Sequence, residues 1–304
     1  MFRTLFQGSS DSAGPSLIPQ PMILERPEGK RRYLVAATPE QTPGARPLVV
    51  VLHGGGASAE QVMGMAFPPS PLSVWLEIAA RENLVVIAPD AGEGGWHDCF
   101  ASDEKVARKD DVALIDLLID QAIARYQVDP RRVYVIGVSR GGWMTYAVAA
   151  RIPHKLAAFA VLLAGMPPPG RIKAPSTPLP ALIMGCTADP LIYYNGGKPW
   201  YSLGMSEPTQ GIEASAQFWR ILAALPDAPA VDNVSASVTR STWGGRDDGL
   251  QVCLYRIEGA GHAEPSRLKR YPRFINWLTG PQNADMEVAE AAWSFFRAKR
   301  CCTA

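Results

Sequence analysis

Short apolar runs alternate along this chain with longer segments in which apolar residues recur at helical spacing. The runs at 47–52, 84–88, 133–138 and 181–185 are continuously apolar, which is typical of strands buried on both faces of a parallel sheet. Between two of them, residues 110–126 carry apolar side chains three and four positions apart, which predicts an amphipathic helix. Strands that alternate with helices predict a mostly parallel sheet with helices on both faces. We therefore expect one α/β domain over residues 25–300.

The remaining elements are predicted from the same two periodicities. Strands are expected at 31–38, within 156–165, at 235–243 and at 250–257, and helices at 60–65, 72–82, 211–225, 267–278 and 286–297. Residues 1–24 lack a continuous apolar run and are predicted to form a flexible arm.

Composition and charge exclude several classes of partner. The chain has 304 residues, and its 30 basic and 29 acidic side chains give a formal net charge of +1. With no basic stripe, a nucleic-acid partner is not expected. No apolar run approaches the length of a membrane span, so no membrane partner is expected. The first residues lack the apolar centre of a secretory signal, which predicts a cytoplasmic location.

Cysteine spacing indicates neither a disulfide framework nor a metal site. The five cysteines are scattered and odd in number: Cys99, Cys186, Cys253, Cys301 and Cys302. No other cluster of metal-binding residue types is evident. We therefore expect neither a metal nor an organic cofactor.

The chain's strongest motif is Gly137-Val138-Ser139-Arg140-Gly141, which lies between a predicted strand and a predicted helix. The flanking glycines let the chain reverse within a few residues and leave Ser139 at the apex of a strained turn. This context predicts a nucleophilic serine, and the alternative is an ordinary strand-to-helix turn with a serine cap.

A serine hydroxyl needs a base, and the four histidines can be sorted by their position in the chain. In the order serine, acid, histidine, His53 and His97 come too early, and His154 follows Ser139 too closely. His262 remains, in a loop of small residues directly after a predicted strand, and is the predicted base.

The acid that orients this histidine must lie between Ser139 and His262. The candidates are Asp189, Glu207, Glu213, Asp227, Asp232, Asp247, Asp248 and Glu258. Asp189 follows the strand at 181–185 and precedes Pro190, so it belongs to the same edge of the sheet and is preferred. The alternative is a turn or cap aspartate.

Acyl transfer also requires donors for the developing oxyanion. We expect one from the backbone N–H of Arg140 and the other from the glycine run 53–56, where Gly55 is preferred. The Arg140 side chain is predicted either to touch the substrate or to pair with Asp110 or Asp111.

Several aromatic residues fall in loops near the expected site. Trp96, His97, Trp143 and Trp200 are predicted to line the substrate cleft. The alternative for each of them is packing in the core or anchoring of a loop.

Taken together, these segments resemble the esterase and polyhydroxybutyrate-depolymerase-like family of α/β-hydrolases, which includes feruloyl and acetylxylan esterases. The matching stretches are VVLHGGG, the serine motif 137–141 with its flanking strand and helix, the segment 185–190 and GAGH. The resemblance implies an α/β-hydrolase fold with Ser139 as nucleophile, Asp189 as acid and His262 as base. The chain departs from the family after the histidine, where Ala263-Glu264-Pro265 stands in place of an aromatic followed by proline-glycine.

The predicted function is a serine carboxylesterase that works through an acyl-enzyme. Its substrates would be small or oligomeric esters with short, aromatic (feruloyl-like) or hydroxyalkanoate acyl groups. Two alternatives remain open at this point: a serine peptidase of the same fold, and a catalytically silent homologue that only binds.

Overall fold

The computed structural model describes residues 17–39, 45–100, 109–199 and 207–301. The strands are β1 (Gln20–Arg26), β2 (Gly29–Ala37), β3 (Arg46–Leu52), β4 (Val85–Pro89), β5 (Val128–Val138), β6 (Ala158–Leu162), β7 (Ala181–Cys186), β8 (Ala230–Asn233), β9 (Val238–Trp243) and β10 (Val252–Ile257). The helices are α1 (Ala59–Val62), α2 (Trp75–Glu82), α3 (Asp111–Tyr126), α4 (Arg140–Arg151), α5 (Ile212–Leu222), α6 (Arg273–Thr279) and α7 (Val288–Phe296), with 3₁₀ turns at Pro71–Val74 and Pro153–Lys155.

The strands form one sheet in the order β1-β2-β4-β3-β5-β6-β7-β10-β9-β8. The six strands from β4 to β10 in this order pair in parallel, and the outer strands pair antiparallel. Helices α3, α4 and α5 contribute to the apolar core on one face, and α1, α2 and α7 contribute to the core on the other. The predicted α/β class, with helices on both faces, is therefore confirmed.

Parallel pairing brings four loops to the same edge of the sheet. Strands β3, β5, β7 and β10 all end there, and each is followed within five residues by a segment that the sequence analysis singled out. These segments are His53 with the glycine run, Ser139, Asp189 and His262. Ligands bind at this edge in open α/β sheets because the loops between successive elements converge there.

Two strands, β1 and β8, are not among the predicted ones, and they are the two edge strands of the sheet. β1 pairs along its length with β2, from Gln20 opposite Val35 to Arg26 opposite Gly29. The predicted boundary at residue 25 thus falls inside a strand, and the predicted arm 1–24 is wrong from Gln20 onward, while residues 1–16 lie outside the described part. β8 is exposed at all four positions, so it lacks the apolar signal of a buried strand.

None of the helices in the described ranges is long and apolar enough to cross a membrane.

The turn between β5 and α4 depends on glycines that leave no room for a side chain. A Cβ on Gly137 would lie 2.1 Å from the Gly141 carbonyl oxygen, and one on Gly141 would lie 2.2 Å from the Leu52 carbonyl oxygen. The end of β3, the end of β5 and the first turn of α4 therefore meet backbone to backbone. This close approach fixes the position of Ser139 relative to the loop that follows β3.

We expect Gly141→Ala to lower the free energy of unfolding by about 3 kcal/mol or more, since backbone atoms on both sides must shift to relieve the overlap. Urea unfolding followed by circular dichroism measures the change. Gly245→Ala is the matched control because a Cβ there meets nothing within 4 Å. Equal stability of the two variants would contradict the close approach.

Candidate active site

Ser139 occupies a strained position at the junction of β5 and α4. Its backbone has φ 56° and ψ −121°, which is unusual for a residue other than glycine. The turn is held by the Ser139 N–H, which donates to the Leu162 carbonyl at 2.9 Å, and by the Ser139 carbonyl, which accepts from Trp143 N at 3.1 Å. The residue is only 7% exposed, and it lines a cavity on the surface of the protein.

The structure brings the predicted acid and base into contact. His262 Nδ1 lies 2.6 Å from Asp189 Oδ2, although 73 residues separate them in the chain. The other oxygen, Asp189 Oδ1, accepts the backbone N–H groups of Leu191 and Ile192 at 2.8 and 2.9 Å. Both carboxylate oxygens are thus bonded in a buried setting, which fixes the plane of the carboxylate and the orientation of the imidazole.

The backbone of the histidine loop is anchored to the last residue of α6 and to the segment that follows it. His262 N donates to the Thr279 carbonyl at 2.5 Å, and Gly261 N donates to the Pro281 carbonyl at 2.8 Å. A Cβ on Gly261 would lie 2.2 Å from the Thr279 oxygen, so only glycine permits this approach. The position of the imidazole therefore depends on α6 as well as on Asp189.

Two opposing effects set the protonation of His262. Burial disfavours the imidazolium and by itself would lower the pKa of His262. The charge and hydrogen bond of Asp189, with a further contribution from the Glu264 charge, outweigh burial and raise the pKa of His262 above 6.5. The environment thus favours a histidine that accepts a proton readily.

The glycine loop after β3 lies beside the serine. A Cβ on Gly54 would be 3.5 Å from Ser139 Cβ, and one on Gly55 would be 3.0 Å from Arg140 Cδ. The backbone N–H groups of Gly55 and Arg140 donate to no acceptor within the described ranges. Two amides are therefore available next to the serine.

His53 holds this glycine loop in place, a role that the sequence analysis did not predict. Its Nδ1 lies 2.8 Å from the Gly54 carbonyl, and its Nε2 accepts the Ala91 N–H at 3.1 Å. Together the two contacts require a neutral ring with its proton on Nδ1. Burial lowers the pKa of His53, which keeps the ring in that neutral form.

The Arg140 side chain pairs with neither of the predicted aspartates. Its Nε donates to the buried Asp98 carboxylate at 3.2 Å, and its Nη2 donates to the Trp96 carbonyl at 3.1 Å. Asp111 forms an ion pair with Arg31 instead, and Asp110 forms one with Arg151. The prediction that Arg140 pairs with Asp110 or Asp111 is therefore wrong, while Arg140 is among the residues that line the cavity beside the serine.

The predicted substrate-binding residues lie at different depths. Trp143 is buried, donates from Nε1 to the Gly165 carbonyl and packs its ring on Phe100. Trp96 is also buried, but it borders a polar groove that shares Arg140 and the glycine loop with the serine cavity.

Of the other two predicted substrate-binding residues, only His97 lies in the described part of the chain. His97 is partly exposed, and its backbone N–H donates to Asp111 Oδ2. Trp200 lies outside the described residues.

A cavity of about 510 Å³ opens above Ser139 and His262. The glycine loop and Leu191 form part of its wall. The remaining wall comes from two segments that are distant in the chain, 61–70 and 264–279, and most of its surface is apolar. A cavity of this size suits a small ester or one end of a larger one. Across the described parts of the chain, no group of three metal-binding side chains accompanies it.

Glu264 is a buried carboxylate in this wall and is only 5% exposed. Its two oxygens accept the Ser70 hydroxyl at 2.8 Å and the Tyr271 hydroxyl at 3.0 Å. The Gln282 side chain donates to the Glu264 carbonyl and accepts from the Tyr271 N–H, so it links these two residues a second time. The only sequence signal for this residue was its place in Ala263-Glu264-Pro265, the stretch after His262 in which the chain departs from the resembled family.

Comparisons with known proteins agree with this geometry. Residues 49–296 match the alpha/beta hydrolase family. A protein named as an esterase, NocK of Nocardia uniformis subsp. tsuyamanensis, is 30% identical over 87% of this chain and 78% of its own length. A bifunctional acetylxylan esterase/xylanase of Neocallimastix patriciarum is 26% identical over 80% of this chain, which spans 32% of that protein.

Among solved structures, the acetyl xylan esterase from Aspergillus awamori superposes with a TM-score of 0.59 at 16% identity. The match covers 86% of this chain and 98% of that one, and it indicates a shared fold. The names of matching relatives include acetylxylan esterase, poly(3-hydroxybutyrate) depolymerase and feruloyl esterase, so the resemblance is confirmed. The chain belongs to the alpha/beta hydrolase family.

Proposed function

We propose that this protein is a serine hydrolase of carboxylic esters. One observation carries the proposal: the buried contact between His262 and Asp189, in the wall of the cavity that also contains the strained Ser139. The three residues follow the chain order serine, acid, histidine. Relatives named as esterases over most of this chain support the ester class of substrate.

Each residue has a defined part in the proposed mechanism. Ser139 Oγ attacks the ester carbonyl carbon while His262 Nε2 takes its proton, and Asp189 stabilises the imidazolium that forms. The tetrahedral intermediate collapses to an acyl-Ser139 ester as His262 returns the proton to the leaving alcohol. Water then attacks the acyl-enzyme with His262 again as base, releasing the acid and restoring Ser139.

The N–H groups of Gly55 and Arg140 are the proposed oxyanion donors. Both amides lie close to Ser139, and neither donates to an acceptor within the described residues. His53 holds the Gly54 carbonyl and thereby sets the direction of the next amide. Preorganised donors of this kind cost no rearrangement when the oxyanion develops.

The proposed substrates are esters with short-chain, aromatic or hydroxyalkanoate acyl groups. The cavity above Ser139 has room for such a group, and its apolar lining by Val62, Leu191 and Ile275 suits an uncharged one. The partner is accordingly a small ester, or the end of an oligomeric one.

The first prediction concerns the nucleophile. We expect Ser139→Ala to lower kcat for p-nitrophenyl acetate by at least about 10⁴-fold, because no other group can form the acyl-enzyme. A fluorophosphonate probe should label the wild type at Ser139, and the labelled residue is read by mass spectrometry. Ser73→Ala, which removes a buried hydroxyl outside the cavity, is the control. Undiminished turnover in Ser139→Ala would refute the proposal, and an unlabelled wild type would favour a silent homologue.

The second prediction concerns the orienting acid. We expect Asp189→Asn to reduce kcat by about 10³- to 10⁴-fold, because the amide no longer stabilises the imidazolium. Asp227→Asn changes an exposed candidate from the same sequence interval and should leave the rate unaltered. A matched ester and anilide of one acyl group, assayed with the wild type, separate an esterase from a peptidase. If Asp227→Asn were the slower variant, the assignment of the acid would be wrong.

The third prediction concerns pH. The imidazole must be neutral to act as base, so kcat/KM should fall as pH drops through the pKa of His262, at a midpoint above 6.5. Glu264→Gln removes one of the two carboxylate charges that raise this pKa, so the midpoint should move to lower pH.

The control is Glu258→Gln, which removes an exposed carboxylate from the same loop. It should leave the pH profile of kcat/KM in place. A midpoint in Glu264→Gln equal to or above that of the wild type would contradict the electrostatic role of Glu264.

A further inference from the structure

Large apolar side chains are exposed around the mouth of the cavity. The mouth patch consists of Met65, Phe67, Leu268, Phe274, Trp277 and Leu278, whose exposed fractions run from 49% for Met65 to 83% for Trp277. They come from two segments that are about 200 residues apart in the chain. Both segments also line the cavity, through Pro68 on one side and Ile275 on the other. Several large exposed apolar side chains beside one cavity indicate a contact site.

Helix α6 presents two different faces. Ile275 and Thr279, four residues apart, face the cavity that contains Ser139. Phe274, Trp277 and Leu278 share another face, and all three are exposed. No residue of α6 is fully buried, so these side chains are not a continuation of the core.

Four of the six residues of the mouth patch lie within a positively charged segment. Residues 267–280 contain Arg267, Lys269, Arg270 and Arg273 and no acidic residue. Lys269 forms an ion pair with Glu77 at 3.4 Å. Arg270 donates to backbone carbonyls, including that of Gln282, and it forms no ion pair with an acidic residue in the described parts of the chain.

Exposed apolar side chains with basic residues in the same segment match one kind of surface. An anionic lipid layer offers both an apolar interior and a dense negative face, to which each nearby basic residue adds attraction. A second copy of this chain would place the same cations against one another. A particle of neutral polyester would carry negative charge only at its chain ends.

We propose that the mouth patch docks on an anionic lipid surface, so that the cavity opens towards the lipid. The expectation of no membrane partner rested on the lack of an apolar run long enough to span a bilayer, and a peripheral contact needs no such run. Its use in taking up esters dissolved in the lipid rests on the proposed function, whereas the docking itself does not.

Vesicle flotation tests the docking directly. The Ser139→Ala protein is mixed with vesicles of equal parts phosphatidylglycerol and phosphatidylcholine, or with vesicles of phosphatidylcholine alone. We expect it to float with the anionic vesicles and remain below with the neutral ones, and added salt should weaken the binding. Since this variant lacks the proposed nucleophile, a failed esterase assay on the wild type would leave the result intact.

Two matched pairs of variants locate the contact on the same Ser139→Ala background. Trp277→Ser should weaken partitioning by about tenfold or more, the effect of one buried large apolar side chain. Ile221→Ser removes an equally apolar exposed residue from α5 and should have no effect. Arg273→Glu should also weaken binding, while Arg246→Glu, at an exposed turn, should not.

Thermal unfolding of each variant checks that it is folded. Equal binding to neutral and anionic vesicles, or equal effects of Trp277→Ser and Ile221→Ser, would overturn the proposal. Sedimentation equilibrium provides a further test. A dimer of the wild type that Trp277→Ser abolishes would assign the patch to a second copy and overturn the proposal as well.

Discussion

The backbone contact between Gly141 and the Leu52 carbonyl is the constraint on which the site depends. It joins the end of β3 to the first turn of α4 with no side chain between them. The chain must therefore turn sharply at Ser139, which accounts for the positive φ of that residue. The same contact places the glycine loop after β3 beside the serine, so one close approach positions both the candidate nucleophile and the amides next to it.

Much of this arrangement could be predicted because it is encoded by local patterns. The central strands are continuously apolar, since both faces of β3, β4 and β7 are buried. The turn at Ser139 has a short recognisable motif because its flanking positions, Gly137 and Gly141, have no room for a side chain. Asp189 could be preferred among eight candidates because it directly follows a strand of the parallel core, and the structure places its Oδ2 2.6 Å from His262 Nδ1.

What could not be predicted depends on contacts between distant segments. β1 has alternating exposed and partly buried positions and is stabilised by pairing with β2, so its own sequence carries no buried stripe. α6 begins only at Arg273, after Pro272, because the residues before it are held by side-chain bonds to Gln282 and Ser266 instead of by helical ones. Trp143 was expected near the substrate, but the helix that carries it turns its ring towards Phe100 and the core.

Glu264 links the chemistry of the site to the shape of its mouth. A carboxylate buried in a mostly apolar wall is unfavourable unless its oxygens are bonded, and here Ser70 and Tyr271 satisfy them. Those two hydroxyls come from two segments that are distant in the chain and both line the cavity, so satisfying the charge also ties these segments together. α6 has no fully buried residue to anchor it, and its position follows from this network and from the bond between His262 N and Thr279. Since polar contacts on its inner side hold α6 in position, its outer face can carry apolar side chains. The same Glu264 carboxylate also acts through its charge on the imidazole of His262.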